Sequence, residues 1–228
     1  MAETNKRLLA LGLKPDVIRL AHVAAMQSVR MRNEIERDVL VCSKCSLSET
    51  CNAPVPGFGS FSSGIMFVGE APGADEDEKG VPFVGDTGQL LTLMLNKLEV
   101  ERKDIYITNA VKCRPEKNRT PTKEEIKKCQ RHLLSEIQWI KPKVIVTLGN
   151  PAMHSVMNDY DLKITRERGR WKKIEDFAWP IYVIHTFHPS YVIRQKGEDF
   201  KTAFKQMMGD IRKAVTKWRQ LSGIMEER

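Results

Sequence analysis

The sequence predicts an α/β fold, with a central four-stranded, mainly parallel sheet flanked by helices on both faces. Short apolar, β-branched runs end in glycine or a polar residue, and amphipathic helical segments alternate with them. Strands alternating with helices imply parallel pairing, because each crossover helix packs back onto a sheet face. No internal repeat or low-complexity segment competes with this reading.

Residues 16–38 carry apolar positions at three- and four-residue spacing and read as a helix. A C-S-K-C pair and a Pro/Gly-containing loop follow, then GIMFVG (64–69) as a first buried strand. The acidic run Asp75–Glu78 reads by default as a solvated loop, and residues 87–98 as a helix. DIYITNAV (104–111) is a second strand. Thr122 and Glu125 form a T-x-x-E capping box that starts a long helix. KVIVTLG (143–149) is a third strand, followed by a short helix with proline in its first turn. A fourth strand lies in WPIYVIHTFHPS (179–190), KKIED (172–176) is an extra edge strand, and residues 198–219 form a last amphipathic helix. The chain divides into a helical extension (1–40), a single domain (41–220) and a short tail (221–228).

In such sheets ligands bind beyond the carboxyl ends of the strands. GEAPGADED, NAVKCRP and HPSY occupy the loops after the first, second and fourth strands. The chemically unusual residues therefore converge on one rim.

Lysine and arginine outnumber acids by 37 to 29, for a net charge of +8 and a pI near 9.3. A basic surface attracts polyanions and releases counterions on binding them. No apolar run reaches the roughly 20 residues of a membrane helix, and the first residues lack the pattern of a signal peptide. A cytoplasmic protein without a membrane partner is expected. In that reducing compartment the five cysteines suggest metal binding or inert buried thiols rather than disulfides. Cys42 and Cys45 form a C-x-x-C pair, while Cys113 and Cys129 lie in the loop after the second strand and in the following helix. Four thiolates suit zinc or a [4Fe–4S] cluster, and spacing alone does not separate the two. Cys51 is left over as a loop or buried thiol.

Phe83 sits in a polar, glycine-rich loop at the rim, where it can stack on a flat ring or simply join the core. Asn109 ends the second strand. Its amide offers an acceptor beside a donor, a match for N3–H and O4 of uracil but not for the edge of cytosine. His188, just after the fourth strand, is placed to donate a hydrogen bond to developing negative charge.

Together GEAPGADED, GVPFVG with TGQLL, YITNAVKCRP, the four cysteines and HPSY resemble, in this order, the iron–sulfur (family four) uracil-DNA glycosylases, from about Cys42 to Arg194. The resemblance implies a uracil-DNA glycosylase-like fold and a structural [4Fe–4S] cluster on Cys42, Cys45, Cys113 and Cys129. It implies that Phe83 stacks on the flipped uracil, that Asn109 reads its edge, and that His188 bonds O2. Gly69 and Ala71 contribute to the uracil-binding loop, and Glu76 matches a position that crowds C5 and excludes thymine's methyl group. Many relatives carry Asp or Asn third in the first motif, where it orients water; here that residue is Ala71, and Glu70 is the candidate for water positioning. Tyr191, Arg194 and Lys196 follow HPS in a DNA-facing loop, and Arg168 and Arg170 lie in a second basic segment, ITRERGRWKK. The expected activity is monofunctional excision of uracil from single- and double-stranded DNA, leaving an abasic site. The alternative is a non-catalytic or covalent uracil-DNA binder of the same fold. A monomer is expected, as is a sliding-clamp contact in the N-terminal extension, where no docking motif is evident.

Overall fold

A computed structural model describes residues 14–223. The first thirteen residues, which belong to the N-terminal extension, and the last five lie outside the described residues. Helix α1 (Pro15–Leu40) starts with proline in its first turn and packs on α4 (Lys123–Ile140). The strands are β1 (Phe58–Gly59), β2 (Ile65–Gly69), β3 (Tyr106–Asn109), β4 (Val144–Leu148), β5 (Trp171–Ile174) and β6 (Ile181–Thr186). They form one sheet in the order β1-β3-β2-β4-β6-β5.

Six strands replace the expected four. The four central strands are parallel, but β1 pairs antiparallel with β3, and β5 antiparallel with β6. The predicted edge strand at 172–176 corresponds to β5. β1 is only two residues long, too short to leave a periodic signature. The acidic run also departs from a solvated loop. Ala74–Lys79 form the short helix α2, with Glu76 and Asp77 buried. Asp77 accepts from the Asn52 N–H at 3.0 Å, a bond to a distant segment that offsets its desolvation.

Alternation along the strands builds two cores. Ile65, Phe67, Val144 and Val146 face helices α3 (Asp86–Asn96) and α8 (Gly197–Ser222) through Leu91, Met94, Met207 and Ile211. Met66, Val68, Ile145 and Val183 face α4 and α5 (Asn150–Met157) through Leu133, Ile137 and Ala152. With both faces covered, the central strands are buried throughout, as their near-continuous apolar sequence requires. Helix α4 starts at the expected box: the Glu125 N–H donates to Thr122 Oγ1 at 3.2 Å, and the Thr122 N–H to Glu125 Oε2 at 2.8 Å. Helices α6 (Ile164–Glu167) and α7 (Pro189–Arg194) are short, of four and six residues. No helix among the described residues is long and apolar enough to cross a membrane.

Candidate active site

Gly69 and Asn109 end neighbouring parallel strands in direct register. A side chain on Gly69 would collide with Asn109 Oδ1 and with the Phe83 ring. Only glycine lets these two groups meet over the strand end. Beyond them opens a cavity of about 330 Å³ lined by Glu70, Ala71, Glu76, Phe83, Asn109, His188, Arg194 and neighbouring residues. The rim convergence expected from the sequence is therefore present for Gly69 to Ala71, Glu76, Phe83, Asn109 and His188.

Asn109 is 2% exposed, and its Oδ1 is buried without a hydrogen-bond partner. An unpaired buried carbonyl oxygen costs about 1–3 kcal/mol, which a ligand N–H would recover. Phe83 is buried and adopts a left-handed backbone, φ 57°, unusual for a bulky residue. Two clamps hold it there. Arg102 donates to the carbonyls of Phe83 (2.9 Å) and Pro82 (2.8 Å). Glu76 Oε1 accepts from the amides of Val84 and Gly85, both at 2.9 Å, while its Oε2 accepts from the Gly73 N–H at 3.0 Å. Glu76 thus spends its carboxylate on three backbone donors and reaches the cavity as the buckle of the loop.

His188 caps α7, and its ring centroid lies 6.1 Å from that of Phe83. The Ser190 N–H donates to Nδ1 at 3.2 Å, and Ser190 Oγ lies 2.8 Å from the same nitrogen. With Nδ1 an acceptor, the single proton of the neutral ring sits on Nε2. Burial, reinforced by the Arg194 charge, pushes the His188 pKa down to about 4, so the ring is a neutral donor at physiological pH. Burial raises the Glu70 pKa, opposed by a hydrogen bond from Thr120 and by the charge of Arg194.

The basic residues divide. Arg170 and Arg194 are exposed, and Tyr191, 40% exposed, stacks against Phe187 at 4.6 Å. Lys196 is exposed at the start of α8. Arg168 instead turns inward, paired with Asp210 at 2.9 Å and lying over the Phe187 ring.

Cys42, Cys45, Cys113 and Cys129 line one small cavity with Leu47, Val111, Lys112 and His132. The Lys112 N–H donates to Cys129 Sγ at 3.3 Å, and Arg131 lies 3.6 Å from Cys42 Sγ. Burial pushes the Cys129 thiol up to about 11 and raises Cys113 well above the ordinary thiol range. Among the described residues no three His, Cys, Asp or Glu side chains are set to hold a single metal ion. Cys51 packs beside this corner.

Sequence reasoning missed Arg102, Ser190 as the partner that sets the histidine tautomer, and the buried pair Lys112–Glu136. Only Ser190 left a signal, its place two residues beyond His188.

Fold and site define a class: an α/β protein with a strand-end pocket lined by a phenylalanine, a histidine and a buried asparagine amide. The family model for the uracil DNA glycosylase superfamily matches residues 56–212, and the chain belongs to that superfamily. A type-4 uracil-DNA glycosylase of Archaeoglobus fulgidus is 43% identical over 180 residues, covering 77% of this chain and 90% of the relative. One from Thermotoga maritima is 41% identical over 180 residues, 79% of this chain and 91% of the relative. A type-5 uracil-DNA glycosylase of Pyrobaculum aerophilum is 37% identical over 119 residues, covering 46% and 52%.

Proposed function

We propose that this chain is a uracil-DNA glycosylase that flips uracil out of DNA and hydrolyses its N-glycosidic bond. The observation that carries the reading is the buried, unpartnered Asn109 Oδ1 aimed into a cavity between Phe83 and His188. Uracil's N3–H supplies the missing donor, and the amide's NH₂ meets O4. Cytosine would set an acceptor against Oδ1 and a donor against the NH₂, and a site built for one polar pattern rejects the other strongly.

Extrusion of the nucleotide is required because the scissile bond is inaccessible within the duplex. As that bond breaks, negative charge gathers on the uracil, including O2, and positive charge on the sugar. His188 Nε2–H, already neutral and oriented by Ser190, donates to O2 without reorganising. It stabilises the uracil anion rather than protonating it. Glu70, as a carboxylate, positions the attacking water or stabilises the cationic sugar, the task that Ala71 cannot perform. Water closes the reaction at C1′, leaving an abasic site and an intact backbone. Glu76 fixes the Phe83 loop and so sets the wall facing C5. Arg194, Arg170 and Tyr191 face single- or double-stranded DNA, while Arg168 serves the fold.

The four cysteines fit a [4Fe–4S] cluster. They line a common cavity, and four cysteine thiolates are the ligand set of such a cluster. When bound, the cluster would supply a structural cross-link between the segment after α1, the loop after β3, and α4. Residues 41–220 carry the activity, with 1–40 an N-terminal extension.

Incubation with uracil-containing single- and double-stranded oligonucleotides, then alkali, tests the reading. Strands cut at the uracil position are expected, and uncut strands would overturn it.

A further inference from the structure

Behind the pocket lies a charged pair with no part in the chemistry above. Lys112 Nζ donates to Glu136 Oε2 at 2.7 Å, with the two side chains 2% and 0% exposed. Nζ also donates to Thr108 Oγ1 at 2.5 Å and to the main-chain oxygen of Asn109 at 3.0 Å, so all three of its protons are used. Glu136 Oε1 accepts from Thr108 Oγ1 (3.1 Å), the Tyr106 hydroxyl (3.3 Å) and the Gly57 N–H (3.3 Å). Every residue of this network lies on β3, beside it, or on the helix covering it.

Stability does not explain such a pair. Two buried charges each lose several kcal/mol of hydration, and apolar residues of similar volume commonly serve a core equally well. What the pair adds is geometric uniqueness at one place, the end of β3. Asn109 must hold its amide in one of two orientations related by a half-turn, and one of them reads uracil. The carbonyl of the same residue is held from behind by a charge-assisted bond, stronger than a neutral one. Lys112 also donates its backbone N–H to Cys129 Sγ, and Cys113 is its neighbour. One residue is thereby bonded both to the uracil-reading strand end and to the cysteine corner.

We propose that Lys112, neutralised by Glu136, is a positioning residue that fixes the Asn109 main chain and with it the orientation of the uracil-reading amide. The inference rests on the glycosylase reading above and adds the device that makes its base selectivity sharp. It also gives the cysteine corner a direct mechanical route to the pocket, through residue 112.

The test is the double variant Lys112→Met with Glu136→Gln. It removes both charges together, while the new amide oxygen still accepts from Tyr106, Thr108 and Gly57. Three quantities are read on folded protein: single-turnover excision of uracil, inhibition by free uracil, and affinity for uracil-free DNA. The expected result is a ten- to hundredfold slower excision, with the inhibition constant for free uracil raised at least tenfold and affinity for uracil-free DNA unchanged. A merely structural pair would leave uracil affinity of the folded protein intact, so rate and inhibition constant within threefold of the parent overturn the proposal. Thr108→Val, which removes one acceptor of Nζ and keeps the ion pair, decides if the double variant does not fold. A threefold or larger rise in the uracil inhibition constant is expected, and an unchanged constant overturns the proposal. Parent protein that excises no uracil would instead overturn the glycosylase reading, whereas active parent with equally active variants removes only the role of Lys112.

Discussion

The pocket at the carboxyl ends of the strands and the cysteine corner beside it are built on opposite principles. In the pocket, polar groups are buried and left unfinished: Asn109 Oδ1 has no partner, and the His188 Nε2 proton is held ready for one. In the corner, four cysteines line one small cavity, with packed Leu47, Val111 and Ile126 at their side. An unfinished site costs stability and gains recognition, while a closed one gains stability and recognises nothing. Yet only residues 110–112 separate Asn109 from Cys113. The closed region stands where it can hold the open one still.

The sharpest way to break this division is to change the two unfinished groups. Asn109→Asp places an acceptor against O4 and should lower single-turnover excision by roughly a thousandfold or more, with melting temperature nearly unchanged. Excision at parental rate would show that the amide does not read the base. His188→Ala should slow the chemical step by about 10²–10³, the usual loss for one preorganised donor, while DNA affinity stays constant. If affinity fell and the chemical step did not, the histidine would belong to DNA binding.

Cys113→Ser attacks the other side. Visible absorbance near ~400 nm should disappear, and stability should fall by several kcal/mol through loss of the cross-link. Excision measured on the folded fraction should fall less than in Asn109→Asp, since no thiol meets the substrate. A colourless, anaerobically purified parent with stoichiometric zinc would replace the cluster by a single ion.

The same contrast governs what was legible in sequence. The central strands and long helices announce themselves by periodicity, and Thr122 with Glu125 marks one boundary outright. The rim was legible because topology, not detail, brings the ends of β2, β3 and β6 together. Residues whose partners are far away in sequence were not legible. Glu76 looks like one of a solvated run until the amides of Gly73, Val84 and Gly85 are found around its carboxylate. Nothing around Lys112 in the sequence points to Glu136, 24 positions on, which lies against it. Arg168 and Arg170, two positions apart, read as one patch, but the first faces Asp210 and the second faces solvent.

Glu70 gives a smaller effect with a definite sign. Burial raises its pKa, so the carboxylate is lost at a higher pH than for an ordinary glutamate. A reaction that needs the ionised form runs fully above that raised pKa and fails as pH falls through it. His188, near 4, stays neutral across this window and adds no limb of its own. Glu70→Gln should therefore slow excision by about tenfold and flatten the acidic limb of the rate profile. A limb that survives in this variant would have to come from another group.

The smallest effects separate the two arginines. Arg170→Ala should weaken DNA binding equally for all sequences and reduce the slope of log K against log salt by about 1, the signature of one lost phosphate contact. Arg168→Ala should leave that slope alone and lower stability by about 1–3 kcal/mol, because Asp210, 4% exposed at its side chain, would lose its cation. Thr186 Oγ1 would still donate to the same carboxylate at 2.8 Å, which limits the loss. Measured by salt titration and denaturant melts on the same preparations, the two variants should exchange no phenotype. A changed salt slope in Arg168→Ala would mean that this arginine leaves Asp210 to meet DNA, and that the line between the DNA-facing surface and the packed interior runs on the other side of residue 168.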